Sequence, residues 1–247
     1  MKGVEKQEED EDMAVSSAAF RELEAFHDFG RRAGLSPDRQ AAADEFGATR
    51  RFAVDGMLFR EGAEAASLFE IREGLVKLVR HLPNGRARIV GLHGPGAVLG
   101  SPANEAALAV NPHSAIALGD VVAVSWQAGS LRRLRRERPG SYIELLERLY
   151  GQVQQADFWI TEFSTGCIRS RVARLILFLA RMRGAGATEE VELLTCQDMG
   201  EILGVTPESV SRVVASLKRM GTLESDAGAN HGLLRCDLAA LRRIAAD

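Results

Sequence analysis

The sequence lacks the features that would assign it to a membrane or to a secretory pathway. No apolar run approaches the roughly 20 residues that a membrane-spanning helix requires. The charged start MKGVEKQEEDEDM is followed by no apolar signal segment. The three cysteines, Cys167, Cys196 and Cys236, lie far apart and show no metal-ligand spacing. These absences predict a cytoplasmic protein with reduced thiols and no membrane partner.

The signatures of catalysis are missing as well. The 247 residues contain no Walker loop, no zinc-binding spacing, and no H-x-H motif of the kind that a cupin metalloenzyme uses. The histidines, which we interpret as surface or satisfied core residues rather than haem ligands, are His27, His81, His93, His113 and His231. The sequence therefore predicts no metal site and no enzyme.

Acidic residues outnumber basic ones, 34 to 31. Residues 1–164 contain 20 Lys and Arg against 24 Asp and Glu, whereas residues 165–247 contain 11 against 10. Much of the excess acid lies between Glu5 and Asp12, in a segment without periodicity, and we predict a disordered acidic tail over residues 1–16. Attraction to phosphate depends on the local field rather than on net charge, so nucleic acid binding is not excluded.

Short apolar runs separated by glycines fill the chain from about residue 52 to residue 124. The runs are MLF, SLFEI, LVKLV, RIVGL and VVAVSW, and Pro83-Asn84-Gly85 between two of them is typical of a hairpin turn. Evenly spaced short strands with glycine corners predict an antiparallel β-roll of the jelly-roll kind. Helical spacing between Phe20 and Phe26 adds a flanking helix, and we assign residues 17–138 to this domain.

A long helix is expected to start at the sequence Arg138-Pro139-Gly140. Over residues 139–163 its apolar residues follow alternating steps of four and three, which is typical of a helix that pairs with a second copy. The predicted dimer seam is Tyr142, Leu146, Leu149, Val153, Ala156, Ile160 and Phe163. A core helix packed on the β-roll is the alternative, but the regular spacing favours a homodimer.

Residues 164–247 show the pattern of a winged helix-turn-helix. A helix is expected over residues 168–182. Thr195 and Asp198 resemble a capping box at the start of a second helix. Gly204 gives a tight turn, Thr206 can cap a third helix that starts at Pro207, and Gly221 can end it. Thr222–Leu234 then reads as two strands of a wing.

The third helix of this motif exposes polar groups near its start. Glu208, Ser211 and Arg212 are spaced to face one side. Arginine can bind guanine O6 and N7, glutamate can accept from cytosine N4, and serine can serve either role. A solvated Glu208–Arg212 salt bridge is the alternative. Within the whole motif we predict contact with double-stranded DNA, in which Thr206, Ser209 and Gln197 also take part.

Residues 50–235 together resemble the catabolite-activator and fumarate-nitrate regulator (CRP/FNR) superfamily. The resemblance rests on the β-roll, on Arg138-Pro139 before the long helix, and on the pattern T-x-Q-D…G-x-T-x-E-x-V-S-R. It implies an α+β fold, a dimer that reads a TTGA-like palindrome, and contact with RNA polymerase. Cys196 and Pro207 stand where cyclic-AMP-sensing members usually have arginines, which implies weaker backbone or base contacts at those two positions.

The β-roll, which the resemblance implies is the sensor domain, departs from the nucleotide-binding pattern of that superfamily. Its cyclic-nucleotide binders use a glutamate for the ribose and an Arg-Ser pair for the phosphate. The corresponding effector-pocket positions are Gly100, Ser101, His113 and Ser114. Both charge-assisted contacts are therefore missing, so cyclic AMP is disfavoured. An iron–sulfur cluster is disfavoured because the N-terminal tail has no cysteine, and the effector stays open.

A sequence-specific, DNA-binding transcriptional regulator is the leading interpretation. The alternatives are a ligand-binding module of the cyclic-nucleotide type and a regulator that senses redox state or gas through haem. Cys167 falls at the expected junction between the long helix and the DNA-reading part. We interpret it as a small buried thiol rather than a redox sensor.

Overall fold

The computed structural model describes residues 37–100, 110–183, 190–225 and 233–246. They form an antiparallel β-roll, a long helix and a winged helix-turn-helix, which confirms the predicted α+β fold. Two compact units meet within the long helix, one reaching Asp157 and the other starting at Phe158. The predicted acidic tail and the helix between Phe20 and Phe26 lie outside the described residues.

Within its described residues, the first unit contains two four-stranded antiparallel sheets with three helices around them. The helices are α1 (Pro37–Phe46), α2 (Ala128–Glu137) and the start of α3 (Pro139–Ser164). The strands are β1 (Ala48–Phe52), β2 (Met57–Phe59), β3 (Ser67–Glu73), β4 (Val76–His81), β5 (Ala87–His93), β6 (Val98–Gly100), β7 (Ser114–Ala117) and β8 (Val121–Gln127). The sheet orders are β1-β8-β3-β6 and β2-β7-β4-β5.

Strand β3 shows how alternation builds two apolar layers. Ile71 packs with residues from both sheets, including Leu99 and Ala115, inside the roll. Leu68 points to the other face and joins Trp126 there, together with apolar residues of all three helices. Since neighbouring residues of a strand face opposite sides, β3 can serve both layers only by being apolar on both faces.

The turn between β4 and β5 confirms the hairpin predicted from Pro83-Asn84-Gly85. Gly85 adopts a φ of 78°, a left-handed conformation that glycine tolerates without a steric cost. The Asn84 side chain accepts a hydrogen bond from the Arg86 backbone N–H at 3.0 Å. This local bonding sets the register of the two strands.

The junction between α3 and α4 (Ile168–Arg183) is a short turn at Gly166, whose φ is 82°. The α3 and α4 helices match their predicted bounds to within one residue at each end. Cys167 caps α4, because its sulfur accepts a hydrogen bond from the Ser170 backbone N–H at 3.5 Å. Cys167 is exposed, so its interpretation as a buried thiol was wrong. A cap must lie at the helix end, where this turn meets solvent.

The second unit carries the predicted helix-turn-helix and a wing. After α4 come β9 (Glu190–Glu192), α5 (Cys196–Leu203), α6 (Pro207–Arg219), β10 (Leu223–Ser225), β11 (Leu233–Cys236) and α7 (Leu238–Ala246). The wing sheet has the order β10-β11-β9, so it includes a strand that the sequence analysis does not predict. The wing glycines Gly228 and Gly232 lie outside the described residues.

Candidate nucleic-acid interface

Helix α5 starts with the cap predicted at Thr195. The Thr195 hydroxyl accepts a hydrogen bond from the Asp198 backbone N–H at 3.0 Å and donates one to the Asp198 carboxylate at 2.8 Å. In a capping box, the side chain at the third helical position normally accepts a hydrogen bond from the backbone N–H of the capping residue. Here the Asp198 carboxylate accepts from the Thr195 hydroxyl instead. The start of the helix is fixed by two bonds between the same residues.

The turn between α5 and α6 is tightly packed. Gly204 is left-handed, with a φ of 67°, as predicted. A Cβ added at Gly200 would lie 2.9 Å from the Val205 carbonyl oxygen, so only glycine lets the turn approach α5 this closely. Arg171 of α4 donates to the Leu203 carbonyl oxygen at 3.0 Å and satisfies one of the acceptors left at the end of α5.

Helix α6 begins with a second cap, at Thr206. The Thr206 hydroxyl accepts from the Ser209 backbone N–H at 3.4 Å, and the two hydroxyl oxygens lie 3.1 Å apart. The Arg212 guanidinium donates to the Ser209 hydroxyl at 3.1 Å. Val210 and Leu217 anchor the opposite side of the helix in the core. Ser209 is therefore a support for Arg212, in addition to its predicted role in DNA contact.

The predicted exposure of Glu208, Ser211 and Arg212 on α6 is confirmed. The pKa of Glu208 is lowered, first by a hydrogen bond from its own backbone N–H and then by Thr206, with a smaller effect from the charge of Arg212. The carboxylate is thus ionised and held at the start of the helix. The face combines an anionic acceptor, a hydroxyl and a guanidinium, which are the groups that read base edges.

Gln197, also predicted to contact DNA, lies in the first turn of α5 and is exposed. Its side-chain amide donates to the Glu201 carboxylate at 2.7 Å, along the same helix. This bond orients Gln197 on the α5 surface and leaves its amide oxygen as an acceptor.

The predicted effector pocket is only partly within the described residues, because Ser101 lies outside them. Gly100 has a φ of 95°, and a Cβ there would lie 2.6 Å from the Ser67 carbonyl oxygen. Ser114 is buried, and its hydroxyl accepts from the Glu61 backbone N–H at 2.9 Å. Both residues therefore have structural roles, since Gly100 allows the close approach to Ser67 and Ser114 bonds the Glu61 backbone.

His113 belongs to the predicted pocket, and His93 lies close enough to feel its charge. The structure contradicts the interpretation of His93. The pKa of His113 is lowered by partial burial and by the charge of Arg80. Burial, and after it His113, lowers the pKa of His93 to about 4. His93 Nδ1 is buried without a hydrogen-bond partner among the described residues, so His93 is not the satisfied core residue that we expected. Neutral imidazole is the stable form at this position.

A buried charge cluster lies beside α1, and the sequence analysis does not predict it. Glu70, which is fully buried on β3, accepts a hydrogen bond from Arg39 at 3.1 Å and lies 3.5 Å from the Arg72 guanidinium. Arg148 of α3 completes the cluster, and burial lowers its pKa, with Arg39 and Glu70 among the charges around it. The available signal was the glutamate within the apolar run SLFEI.

The predicted dimer seam is divided among three environments. Leu146, Ala156 and Ile160 are exposed, whereas Tyr142 and Leu149 pack against the core beneath α1 and α2. The Val153 side chain lies outside the described residues. Phe163 is 1% exposed, and its ring lies 4.8 Å from Trp159 and 5.7 Å from Phe178 between centroids. Phe163 therefore cannot serve as a seam residue, because its own chain already covers it.

The apolar side chains that α3 leaves exposed form a different stripe. They are Ile143, Leu146, Tyr150 and Ile160. Leu146 follows Ile143 by three residues, Tyr150 follows Leu146 by four, and Ile160 comes ten residues later in the same heptad phase. The exposed stripe and the predicted seam thus share Leu146 and Ile160.

Two other kinds of site find no support in the described part of the chain. Its helices include none with the length and apolar character needed to cross a bilayer. Its histidine, cysteine, aspartate and glutamate side chains form no group of three or more that could hold a metal ion.

Known families match both parts of the chain. The family described as cyclic nucleotide-binding domain matches residues 49–138, and the family described as Crp-like helix-turn-helix domain matches residues 170–244. The matched segments cover the β-roll with α2 and almost the whole of the second unit.

Several proteins that are similar over most of the chain are named as regulators of transcription. The transcriptional regulator LdrP of Thermus thermophilus is 28% identical over 198 residues, which is 79% of this chain and 96% of the relative. A CRP-like cAMP-activated global transcriptional regulator of Mycobacterium tuberculosis is 26% identical over 66% of this chain and 74% of its own. A solved CRP-family regulator, also from Thermus thermophilus, superposes with a TM-score of 0.67 at 27% identity, covering 80% of this chain and 97% of that one.

Proposed function

We propose that the chain is a transcriptional regulator of the CRP/FNR type, as its two matched domains and its regulator relatives suggest. It binds a TTGA-like palindrome as a homodimer and acts on RNA polymerase. The observation that carries the proposal is the exposed start of α6. There Glu208, Ser211 and Arg212 share one face, supported by the caps at Thr195 and Thr206.

The chemistry of this face favours a TGA-like core in each half-site. Arg212 presents a guanidinium that can bind guanine O6 and N7 together, and its bond to Ser209 limits its rotamers before DNA arrives. Glu208 is an ionised acceptor that suits cytosine N4. Two such helices about one duplex turn (~34 Å) apart would read half-sites centred 10–11 base pairs apart.

The exposed stripe on α3 supports the homodimer. A helix that exposes Ile143, Leu146, Tyr150 and Ile160 at heptad spacing gains stability by burying them against a second copy. The proposed seam is this stripe with Val153, and it excludes Phe163.

We propose that the effector is not cyclic AMP. The M. tuberculosis relative is named as cAMP-activated, but the residues of this chain do not supply the charges that such a ligand requires. His113 stands in place of a guanidinium and is kept neutral by its lowered pKa, and Gly100 has a left-handed backbone held against Ser67. A cyclic phosphate would lose its charge-assisted bond at the first of these positions.

The experiment that tests the DNA proposal is selection of binding sites from random duplexes. Wild-type protein should return a palindrome with a TGA-like core. Arg212→Ala should weaken binding to it by about 1–3 kcal/mol and relax the preference at the guanine. Arg219→Ala, at the far end of α6, is the matched control and should lower affinity without changing the selected sequence. Selection of no palindrome, or of the same palindrome by Arg212→Ala, would contradict the proposal.

A further inference from the structure

The start of α6 brings together two oppositely charged side chains that are both predicted to read bases. Glu208 and Arg212 stand four positions apart, a spacing at which a glutamate and an arginine on an exposed helix can pair with each other. Such a pair would occupy the two groups that have to face the bases. A direct Glu208–Arg212 salt bridge would therefore compete with recognition.

The structure gives each charged group a different partner. The Arg212 guanidinium donates to the Ser209 hydroxyl at 3.1 Å rather than to the Glu208 carboxylate. The carboxylate accepts from its own backbone N–H and from Thr206, and the charge of Arg212 has the smallest effect on the pKa of Glu208. Both charged groups are thus held by the first turn of the helix and not by each other.

The hydroxyl groups of Thr206 and Ser209 form a chain between the two charges. Their oxygens lie 3.1 Å apart. An ionised carboxylate can only accept, so the single proton of Thr206 points to Glu208, and the bond between the hydroxyls is donated by Ser209. The Thr206 oxygen then accepts from both the hydroxyl and the backbone N–H of Ser209. Every hydroxyl proton in this chain points away from Arg212 and toward Glu208.

We propose that the Ser209 hydroxyl is a specificity-determining group that keeps Arg212 away from Glu208, so that each of them stays available to a separate base. Ser209 is a positioning residue in this scheme, and it acts on both base-reading side chains. The inference rests on the proposed function and deepens it. A guanidinium has several N–H groups, so its bond to Ser209 leaves others for a guanine.

The Ser209 hydroxyl can be removed without removing the helix cap. The cap bond to Thr206 is donated by the Ser209 backbone N–H, which alanine retains. Ser209→Ala therefore deletes the acceptor of Arg212 and leaves the start of the helix bonded. Ser209→Thr is the conservative variant, because it keeps a hydroxyl on the same Cβ.

Selection of binding sites from random duplexes gives the first measurement. Ser209→Ala should relax the preference at the guanine and at the cytosine together, because Arg212 can then pair with Glu208. Its affinity for the wild-type palindrome, measured by fluorescence anisotropy, should fall by about 2- to 12-fold, as expected when a long side chain loses its fixed geometry. Arg212→Ala should relax the preference at the guanine alone, and Ser209→Thr should retain both preferences.

A double variant separates this role from a direct contact between Ser209 and DNA. In Ser209→Ala/Glu208→Gln, Arg212 has no carboxylate at position 208 with which to pair. The preference at the guanine should therefore return, although the preference at the cytosine stays lost. Removing Glu208 would not restore a contact that the Ser209 hydroxyl itself had made with a base or a phosphate.

The second measurement needs no DNA. NMR titration of the Glu208 carboxylate gives its pKa with and without Arg212. Arg212→Ala should raise this pKa more in the Ser209→Ala background than in wild type, by about 0.2–0.4, which corresponds to one exposed ion pair on a helix. Comparing the two backgrounds cancels any change that Ser209→Ala makes through Thr206.

The matched control is Ser216→Ala, which removes a similarly half-buried hydroxyl from the far half of α6. It should keep the wild-type palindrome and the wild-type pKa of Glu208, and thermal unfolding should show every variant folded. Three results would overturn the inference. They are loss of the guanine preference alone in Ser209→Ala, equal relaxation in Ser216→Ala, and an equal effect of Arg212→Ala on the pKa in both backgrounds.

The two proposals fail separately. If wild-type protein selects no palindrome, the proposed function fails, and the separation of the two charges by Ser209 is judged from the pKa values alone. A sequence-selective protein in which Arg212→Ala has the same effect on the pKa of Glu208 with and without the Ser209 hydroxyl would retain the proposed function and refute the role of Ser209.

Discussion

His93 and Gln155 join strand β5 to the long helix α3. The Gln155 amide donates to the Leu92 carbonyl oxygen at 2.9 Å, and the Gln155 side chain is also hydrogen-bonded to the His93 ring. Because His93 Nδ1 has no partner among the described residues, this bond is made by Nε2. Burial keeps the imidazole neutral even though the Gln155 bond acts in the opposite direction and raises the pKa of His93. Keeping a neutral imidazole in the interior has a measurable cost in acid.

Lowering the pH should destabilise the protein through His93. The unfolded chain takes up a proton near the ordinary pKa of 6.5, whereas the folded chain takes it up only near a pKa of about 4. Between these values the unfolded state binds more protons, so the free energy of unfolding falls as the pH falls, by up to about 3 kcal/mol. Urea unfolding at several pH values would measure this slope.

The comparison of slopes uses two variants. His93→Leu should flatten the dependence between pH 6.5 and pH 4, whatever its effect on absolute stability. Ile89→Val, a buried apolar substitution on the same strand, should lower stability at every pH and keep the wild-type slope. An unchanged slope in His93→Leu would show that His93 is not the titrating group.

Glu70 should be essential for stability because its carboxylate is the buried counter-charge of Arg39 and Arg72. Glu70→Gln removes that charge and leaves the guanidinium groups in the interior, which should reduce the free energy of unfolding by about 3–5 kcal/mol. Glu45→Gln is the matched control. It removes the same charge from the exposed pair with Arg138 and should cost less than about 1 kcal/mol. If denaturant unfolding showed equal losses of stability in Glu70→Gln and Glu45→Gln, the distinction between the buried and the exposed pair would be refuted.

The dimer should depend on the exposed stripe of α3. Wild-type protein should sediment at about twice 26.8 kDa. Ile160→Glu should shift it toward monomer, because a carboxylate would face its symmetry copy in the seam. Val54→Glu makes the same kind of change at an exposed apolar residue of the roll and should leave the dimer intact. A wild-type monomer at micromolar concentration would be incompatible with the proposed seam.

Cyclic AMP should not bind in the low-micromolar range. Isothermal titration calorimetry of the purified protein should give no saturable heat, because Ser101 and His113 stand at the positions where a glutamate and an arginine would hold the ribose and phosphate. The cAMP-activated M. tuberculosis relative is the positive control. Tight binding at one molecule per subunit would show that other side chains have replaced those contacts.

Elements with local signals were predictable from the sequence. The caps at Thr195 and Thr206 and the left-handed glycines Gly204 and Gly221 mark the helix-turn-helix because each acts on its own few neighbours. The β-roll was recognisable for the same reason, from its hairpin and its glycine corners. Helices α2 and α7 were missed, since each is short and follows closely on a strand without a long periodic run. Helix α7 does begin with a cap, because the Asp237 carboxylate accepts from the Ala239 and Ala240 backbone N–H groups.

The identity of long-range partners was not predictable from the sequence. Heptad spacing shows that α3 has apolar faces, but not what covers them, so Phe163 was assigned to a second copy instead of to Trp159 and Phe178. The Arg39–Glu70 pair joins residues 31 positions apart. Glu70 is buried because a guanidinium from α1 reaches it, which no local pattern reveals.

The bond network around Arg174 determines where the DNA-reading part can be cut from the rest of the chain. Arg174 donates to the Glu162 and Thr165 carbonyl oxygens and, at 2.8 Å, to that of Ala245. Phe158 stacks on Phe178 of α4, 6.1 Å away between centroids. A fragment that starts after the turn at Gly166 would expose that ring and strip the guanidinium of two acceptors. A fragment that keeps these contacts has to start at or before Phe158 and carry the end of α3 with it.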